Sequence, residues 1–469
     1  MPESSVAARQ AGPVPGRDHC LAPGRLGHGE PPHPGYGRMF GDLEPLHIDE
    51  AFFVTQGKAA VAGTDTTFVD LTSDEQTRTD LPAAGWPVFG QFVAHDLTAD
   101  RSRLAARADP GELANAHTPR LNLETVYGLG PTDQPYLMQK SSPSLLLIGG
   151  DAEHPDLPRN QDGVALIGDP RNDVHGLMTR LQLAFLQAHN ALVQRHAAAG
   201  AGEDECFELA RRDLRWHFQW LVVHEFLDLS VGPELAAAAR AGERPHFRPE
   251  AELLLPVEFA DAAFRFGHSQ VRDHYRLHAD GPARSLFPDL AGFRPMVDRP
   301  VDWAMLFDMP ASAPAPQRAK AIDGRLVPSL IHLPLEVTGD LASEEQQSLA
   351  VRDLQRGRAT GLPSGEAIAR RLGARVLDAD EIGVAHLGWE GETPLWYYLL
   401  KEAEVLHDGR RLGLVGGSIV AEVLTAVVAA DPDSYVNAEP SWTPTLPHEG
   451  DFTVGDLLSF AARPEHCSA

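Results

Sequence analysis

Between about residues 37 and 165 the apolar residues come in short pieces separated by turn signals; beyond that point they recur every third or fourth position. This contrast predicts an irregular first part and a helical remainder, because a helix that buries one stripe repeats its apolar residues with a period near 3.6. The first clear helix falls near 86–96, where Phe89, Phe92 and Val93 share a face. A stronger one covers 175–198 through Leu177, Leu181, Phe185, Ala188 and Leu192. Others follow at about 205–227, 342–358, 364–372, 392–406 and 416–430, with a short one in the tail DFTVGDLLSFA. A Pro-rich connection occupies 310–335. Residues 1–36, rich in Pro, Gly and His, read as an irregular N-terminal arm. No fixed-period repeat, strand–helix alternation or low-complexity linker divides residues 37–469. The class is therefore mainly α, one large helical domain with little β.

Charge narrows the partners. The net charge is -26 at pH 7. Such a surface argues against nucleic acid, whose binding rests on Lys and Arg neutralising phosphates, and against anionic lipid. The cysteines are Cys20, Cys206 and Cys467, an odd and sparse set with no CxxC pair, so neither a disulfide framework nor a thiolate metal site is expected. No apolar run is long enough to span a membrane, and the first residues lack the apolar core of a secretory signal. The expectation is a cytoplasmic protein with reduced thiols.

Four segments carry candidate chemistry. In Trp86–Thr98, Gln91 and His95 lie four apart and share a helix face, while Asp96 points about 100° away and must serve something else. In Gly168–Asp173, turn residues set Arg171 at the mouth of the 175–198 helix. In Ala263–Ser269, Gly267 lets a bulky planar group approach the backbone beside His268, and a neutral imidazole suits an axial iron ligand. In Asp353–Ala367, Glu366 sits in the first turn of a helix, where a carboxylate suits the helix dipole or accepts an imidazole N–H. Read singly, the segments suit a structural role at least as well: a satisfied His and a surface Arg better than the functional reading, a packed aromatic helix about as well, and a capping Glu. His224–Asp228 opens like a zinc-protease helix but lacks the second His.

Taken in order, GQFVAHD, TPRLNLETVYG, GDPRND…AHN, AFRFGH and LQRGRATGLPSG resemble the animal-type haem peroxidase superfamily, most of all its bacterial members, from about Arg38 to about Leu458. The resemblance implies a single large helical haem-peroxidase domain that reduces hydrogen peroxide to water through a ferryl intermediate while oxidising a small organic or halide donor. By position, His95 matches the distal histidine, Arg171 the distal arginine, Gln91 the distal glutamine and His268 the proximal iron ligand. Glu366 stands where many members place the acceptor of the proximal N–H, and Arg265 lies three residues before the ligand, where cyclooxygenases carry a tyrosine. The segment from Asn115 resembles a calcium loop, implying Asp96, Thr118, the Arg120 carbonyl, Asn122 and Glu124 as ligands, all hard oxygen donors. The positions that form haem esters in mammalian members hold Ala94 and Val174, so the resemblance implies a non-covalent haem b, with Asp173 as a neighbouring alternative for one link. Two other functions stay open: a haem-dependent dioxygenase acting on a lipid or specialised metabolite, and a non-catalytic haem-binding protein.

Overall fold

The computed structural model describes residues 33–47, 78–99, 109–249, 253–296, 298–310, 315–339, 345–384 and 391–462. Most of the arm expected over 1–36, and Cys20 and Cys467 with it, lies outside them. The long helices are α1 (Trp86–Leu97), α2 (Gly176–Ala198), α3 (Glu203–Trp220), α4 (Pro233–Arg240), α5 (Leu349–Ala359), α6 (Gly365–Leu372), α7 (Leu395–His407), α8 (Leu414–Ala430) and α9 (Val454–Ala461). Among the described residues the strands are two to five residues long and pair two by two.

The ends of these helices follow from local chemistry. The side chain of His175 accepts the Met178 amide and starts α2; Ser364 does the same for Ala367 and α6. Thr453 and Asp456 form a reciprocal capping box at α9. α6 closes at Gly373, whose φ of 68° suits glycine. α5 is shorter than the 342–358 expected; residues 341–344 lie outside the description and Glu345–Gln347 form a separate turn. The connection over 310–335 carries one helical turn, Pro328–Ile331. α4 has no counterpart in the sequence reading: Gly232, with φ 89°, breaks the chain after Val231, and Pro233 restarts it.

α2 and α3 pack along one another, and α9 and the strand Ser142–Leu146 close over α2. α1 crosses this pair, with Phe92 stacked on Phe185 at 4.4 Å and edge-on to Phe218 at 5.7 Å. α3 ends in a π-helical turn, Leu221–Phe226, that holds His224 and Glu225. His224 stacks on Trp220 and meets the Tyr435 hydroxyl, and Glu225 accepts the Val454 amide. That segment is therefore a packed joint, with no zinc-protease geometry. No helix among the described residues is long and apolar enough to cross a membrane.

Candidate active site

α1 delivers Gln91 and His95 to one cavity. Arg171, His268 and Arg265 line the same cavity, with Ala94, Val174, His175 and Gly267. His95 and Arg171 are nearly buried, at 4% and 3% exposure.

Arg171 is held by Asp169 and by the His95 carbonyl. Asp169 caps its turn by accepting the Arg171 amide at 2.8 Å. The same carboxylate accepts Nε at 3.0 Å and Nη2 at 2.7 Å. Nη2 also donates to the His95 carbonyl at 2.8 Å, tying the guanidinium to α1. His117 Nε2 stands 3.1 Å from Asp169 Oδ2, the oxygen that also accepts Arg171 Nη2. Burial opposes a charge on Asp169, yet Arg171 and His117 hold its carboxyl well below the usual range. Burial likewise opposes a charge on His117, but the bond to Asp169 outweighs it and raises the imidazole. The arginine is thus a fixed cation inside a charge-balanced cluster.

Gln91 Oε1 lies 2.9 Å from His175 Nε2. Since His175 Nδ1 accepts the Met178 amide, Nε2 carries the proton and donates to Gln91. Burial and the nearby His95 push His175 down to about 3, so it stays neutral.

In the lining of the same cavity, a short turn, Ala263–Arg265, leads into the single helical turn Gly267–Gln270. His268 Nδ1 meets Asp353 Oδ2 of α5 at 2.6 Å. Asp353 is fully buried and also accepts Arg356 Nη1 at 3.1 Å. Burial works against its charge, but His268, Arg265 and Arg356 together hold the carboxyl below its ordinary value. Glu366, expected to accept the His268 N–H, instead accepts the Thr393 amide and hydroxyl at 2.8 and 2.7 Å. It braces the start of α7. The expected carboxylate is there, but it comes from the helix before the Gly/Pro turn.

Asp96 leaves the far side of α1. Its two oxygens accept the amides of Leu123 and Thr125 at 2.9 and 3.2 Å. Thr118 and Asn122 both bond Glu124. Asp96, Thr118, Asn122 and Glu124 are therefore brought together. Arg120 turns its side chain away toward Asp431. Burial pushes Asp96 up to about 7, with Glu124 adding to the rise. Among the described residues no group of three His, Cys, Asp or Glu side chains is arranged to hold a metal ion.

Haem fits the cavity on this structure's own terms. A Cβ added to Gly267 would meet no atom within 4 Å, so a flat group has room to approach the backbone there. Arg356 lines the cavity, is fully buried, and has an Nη2 with no hydrogen-bond partner among the described residues. Burial and neighbouring Arg265 push that guanidinium down to about 9. Such a cation calls for an anionic partner such as a carboxylate. Neither Ala94 nor Val174 can form an ester. Asp173 is bound bidentately by Arg159 at 2.6 and 2.8 Å and by Thr179.

Sequence reasoning missed Asp353, Asp169, His117 and His175. Asp169 was visible as a neighbour of Arg171. The others carried no signal of their own.

His268, backed by Asp353, and the His95–Arg171 pair thus line one cavity of a mainly helical scaffold. The animal haem peroxidase profile matches residues 80–379. The chain belongs to the animal haem peroxidase family. It is 26% identical to thyroid peroxidase of Mus musculus over 282 residues, 55% of this chain and 30% of that one. It is 29% identical to heme peroxidase 2 of Caenorhabditis elegans over 122 residues, 24% of this chain and 17% of that one. The aligned stretches thus span less than a third of either relative. Among solved structures, peroxidase A from Dictyostelium discoideum shares the fold with a TM-score of 0.66 at 16% identity, covering 92% of this chain and 94% of that one. A fatty acid alpha-dioxygenase from Oryza sativa shares it at 0.59 and 15% identity, covering 90% and 78%.

Proposed function

We propose that the protein is a haem peroxidase that reduces hydrogen peroxide to water and oxidises a small organic or halide donor. The observation that carries this reading is that His95, Arg171 and His268 all line one cavity. His268 would hold the iron, with Arg265 and Arg356 facing the haem carboxylates. When bound, haem supplies the iron at which the peroxide O–O bond breaks. His95 takes the proton from one peroxide oxygen and returns it to the other, so that the leaving oxygen departs as water. Arg171, whose charge is pinned by Asp169, stabilises the negative charge that develops on that oxygen. Gln91, its carbonyl occupied by His175, presents its amide N–H to a water or anion. With Ala94 and Val174 at the ester positions, the haem b is non-covalent.

Haem-loaded protein given peroxide and a phenolic donor should change its absorption spectrum and oxidise the donor catalytically. A spectrum indifferent to peroxide would leave only a haem-binding role. A second reading, a haem-dependent dioxygenase, is favoured by the apolar wall of Phe259, Phe264, Phe287, Leu330 and Leu333. It predicts product from a lipid or other apolar substrate with oxygen and no peroxide.

For Asp96, Thr118, Asn122, Glu124 and the Arg120 carbonyl, the reading is a calcium site. Two mutually repelling carboxylates and neutral oxygens form a donor set suited to that ion. Calcium at a hundredfold over its Kd is expected to stabilise the fold by about 2.7 kcal/mol. Thermal unfolding with chelator and with added calcium checks this; identical midpoints would remove the ion from the account.

A further inference from the structure

Beside the candidate active site lies a second cavity, and Trp86 at the start of α1 lines both. Its indole is 6% exposed, so one nearly buried ring borders the two spaces. The π-helical turn Leu221–Phe226 divides its side chains in the same way. Phe226 lines the first cavity and packs on Trp86 at 6.1 Å, while His224 and Glu225 line the second. Such turns are rare and recur at functional sites. The second cavity has aromatic walls in Trp220, Phe307 and Phe452, and Phe307 meets Trp86 edge-on at 5.6 Å. Its rim is open, with Leu229 39% exposed. Its charges are already matched: Arg318 pairs with Asp308 at 3.3 Å, Arg410 with Asp408 at 3.0 Å and Arg411 with Glu234 at 3.6 Å. Burial pushes Glu225 up to about 8 and His224 down to about 4, so both are uncharged at neutral pH. An anion finds each guanidinium committed, whereas flat walls with polar groups between them suit an uncharged aromatic molecule.

We propose that this cavity is a second donor site, for an aryl amine, and that Trp86 carries electrons from it to the haem. The inference rests on the peroxidase reading above. Indole gives up an electron far more readily than benzene, and the rings packed on Trp86 are Phe89, Phe226 and Phe307. The indole is therefore the redox-active member of that wall. Trp86 and His95 stand about 14 Å apart along α1, a span that electrons cross by tunnelling. The electron count closes. Peroxide takes up two electrons and two protons and leaves as two waters. Two donor molecules each lose one electron and remain as radical cations. The indole loses an electron to the oxidised haem and regains one from the donor, so it is unchanged after each passage; the protons come from solvent. A donor too large for the haem cavity can then be oxidised without entering it.

The test uses the haem-loaded full chain, hydrogen peroxide and tetramethylbenzidine, an aryl amine whose radical cation is coloured. Iodide, small enough to reach the haem directly, is the reference donor. Trp86→Phe should lose most of the tetramethylbenzidine oxidation and keep iodide oxidation. Frozen soon after peroxide is added without donor, the wild type should show an indole radical by electron paramagnetic resonance, and Trp86→Phe should lack it. Because Trp86 also borders the haem cavity, a second variant acts from the other end. Leu229→Cys carrying a bulky maleimide closes the second cavity and leaves Trp86 in place; wild type treated alike controls for Cys20, Cys206 and Cys467. It should lose tetramethylbenzidine oxidation while keeping iodide oxidation and the indole radical. If Trp86→Phe loses iodide oxidation as well, the labelled variant decides. Tetramethylbenzidine oxidised at the wild-type rate by either variant overturns the proposal. A wild type that oxidises neither donor removes instead the peroxidase reading on which it rests.

Discussion

His95→Ala is expected to slow the reaction of the haem-loaded protein with hydrogen peroxide by about 10²–10⁴, and Arg171→Ala by about the same. The two losses have different causes, and the structure says how to tell them apart. In the proposed mechanism His95→Ala removes the group that moves the proton. Added imidazole that enters the cavity should restore part of the rate. Arg171→Ala removes a fixed charge and leaves Asp169 buried beside His117 alone. Imidazole should not help there, and the variant should also lose stability, because a buried carboxylate loses its main partner. Arg171→Lys keeps the charge but cannot reproduce bonds from two guanidinium nitrogens to Asp169 together with one to the His95 carbonyl. It should therefore recover only a fraction. Stopped-flow rates across these variants check the scheme; a wild-type rate in His95→Ala removes it from the mechanism.

Helical periodicity made α1, α2, α3, α7 and α8 legible, because each buries a stripe or more of large apolar side chains. It missed α4, where alanines give little pattern and a Gly–Pro break decides the start. In the site, legibility followed covalent proximity. Asp169 adjoins Arg171 within a recognisable turn. The partner of His268 was sought after the Gly/Pro turn, at Glu366, although it stands before it at Asp353. Across such a turn, spacing carries no geometry. Only the packing of α5 against the 263–270 segment distinguishes the two carboxylates, and no property of the linear chain encodes that contact directly.

That carboxylate carries the second large effect. Asp353→Ala should destabilise the protein by about 3–5 kcal/mol, the usual result when one member of a buried ion pair is removed. It strands Arg356 beside Arg265 and leaves the His268 N–H without its acceptor. On the proposed haem placement, haem-free protein should suffer more than haem-loaded protein, because haem carboxylates would compensate the same arginines. Asp353→Asn keeps the shape and can still accept the N–H, so its stability loss should be smaller. It removes the negative charge that enriches the imidazole, and the midpoint potential of the bound haem should rise. The pH dependence has a definite sign. A carboxyl held below its ordinary value adds stability above its unfolded pKa of about 3.9 and loses it as the pH falls through the lower folded value. The stability gap between wild type and Asp353→Asn should therefore be open at neutral pH and close below about pH 4. Unfolding curves across pH and a redox titration decide it: a potential that does not move in the Asn variant means that Asp353 only braces the fold and leaves the electronics of His268 untouched.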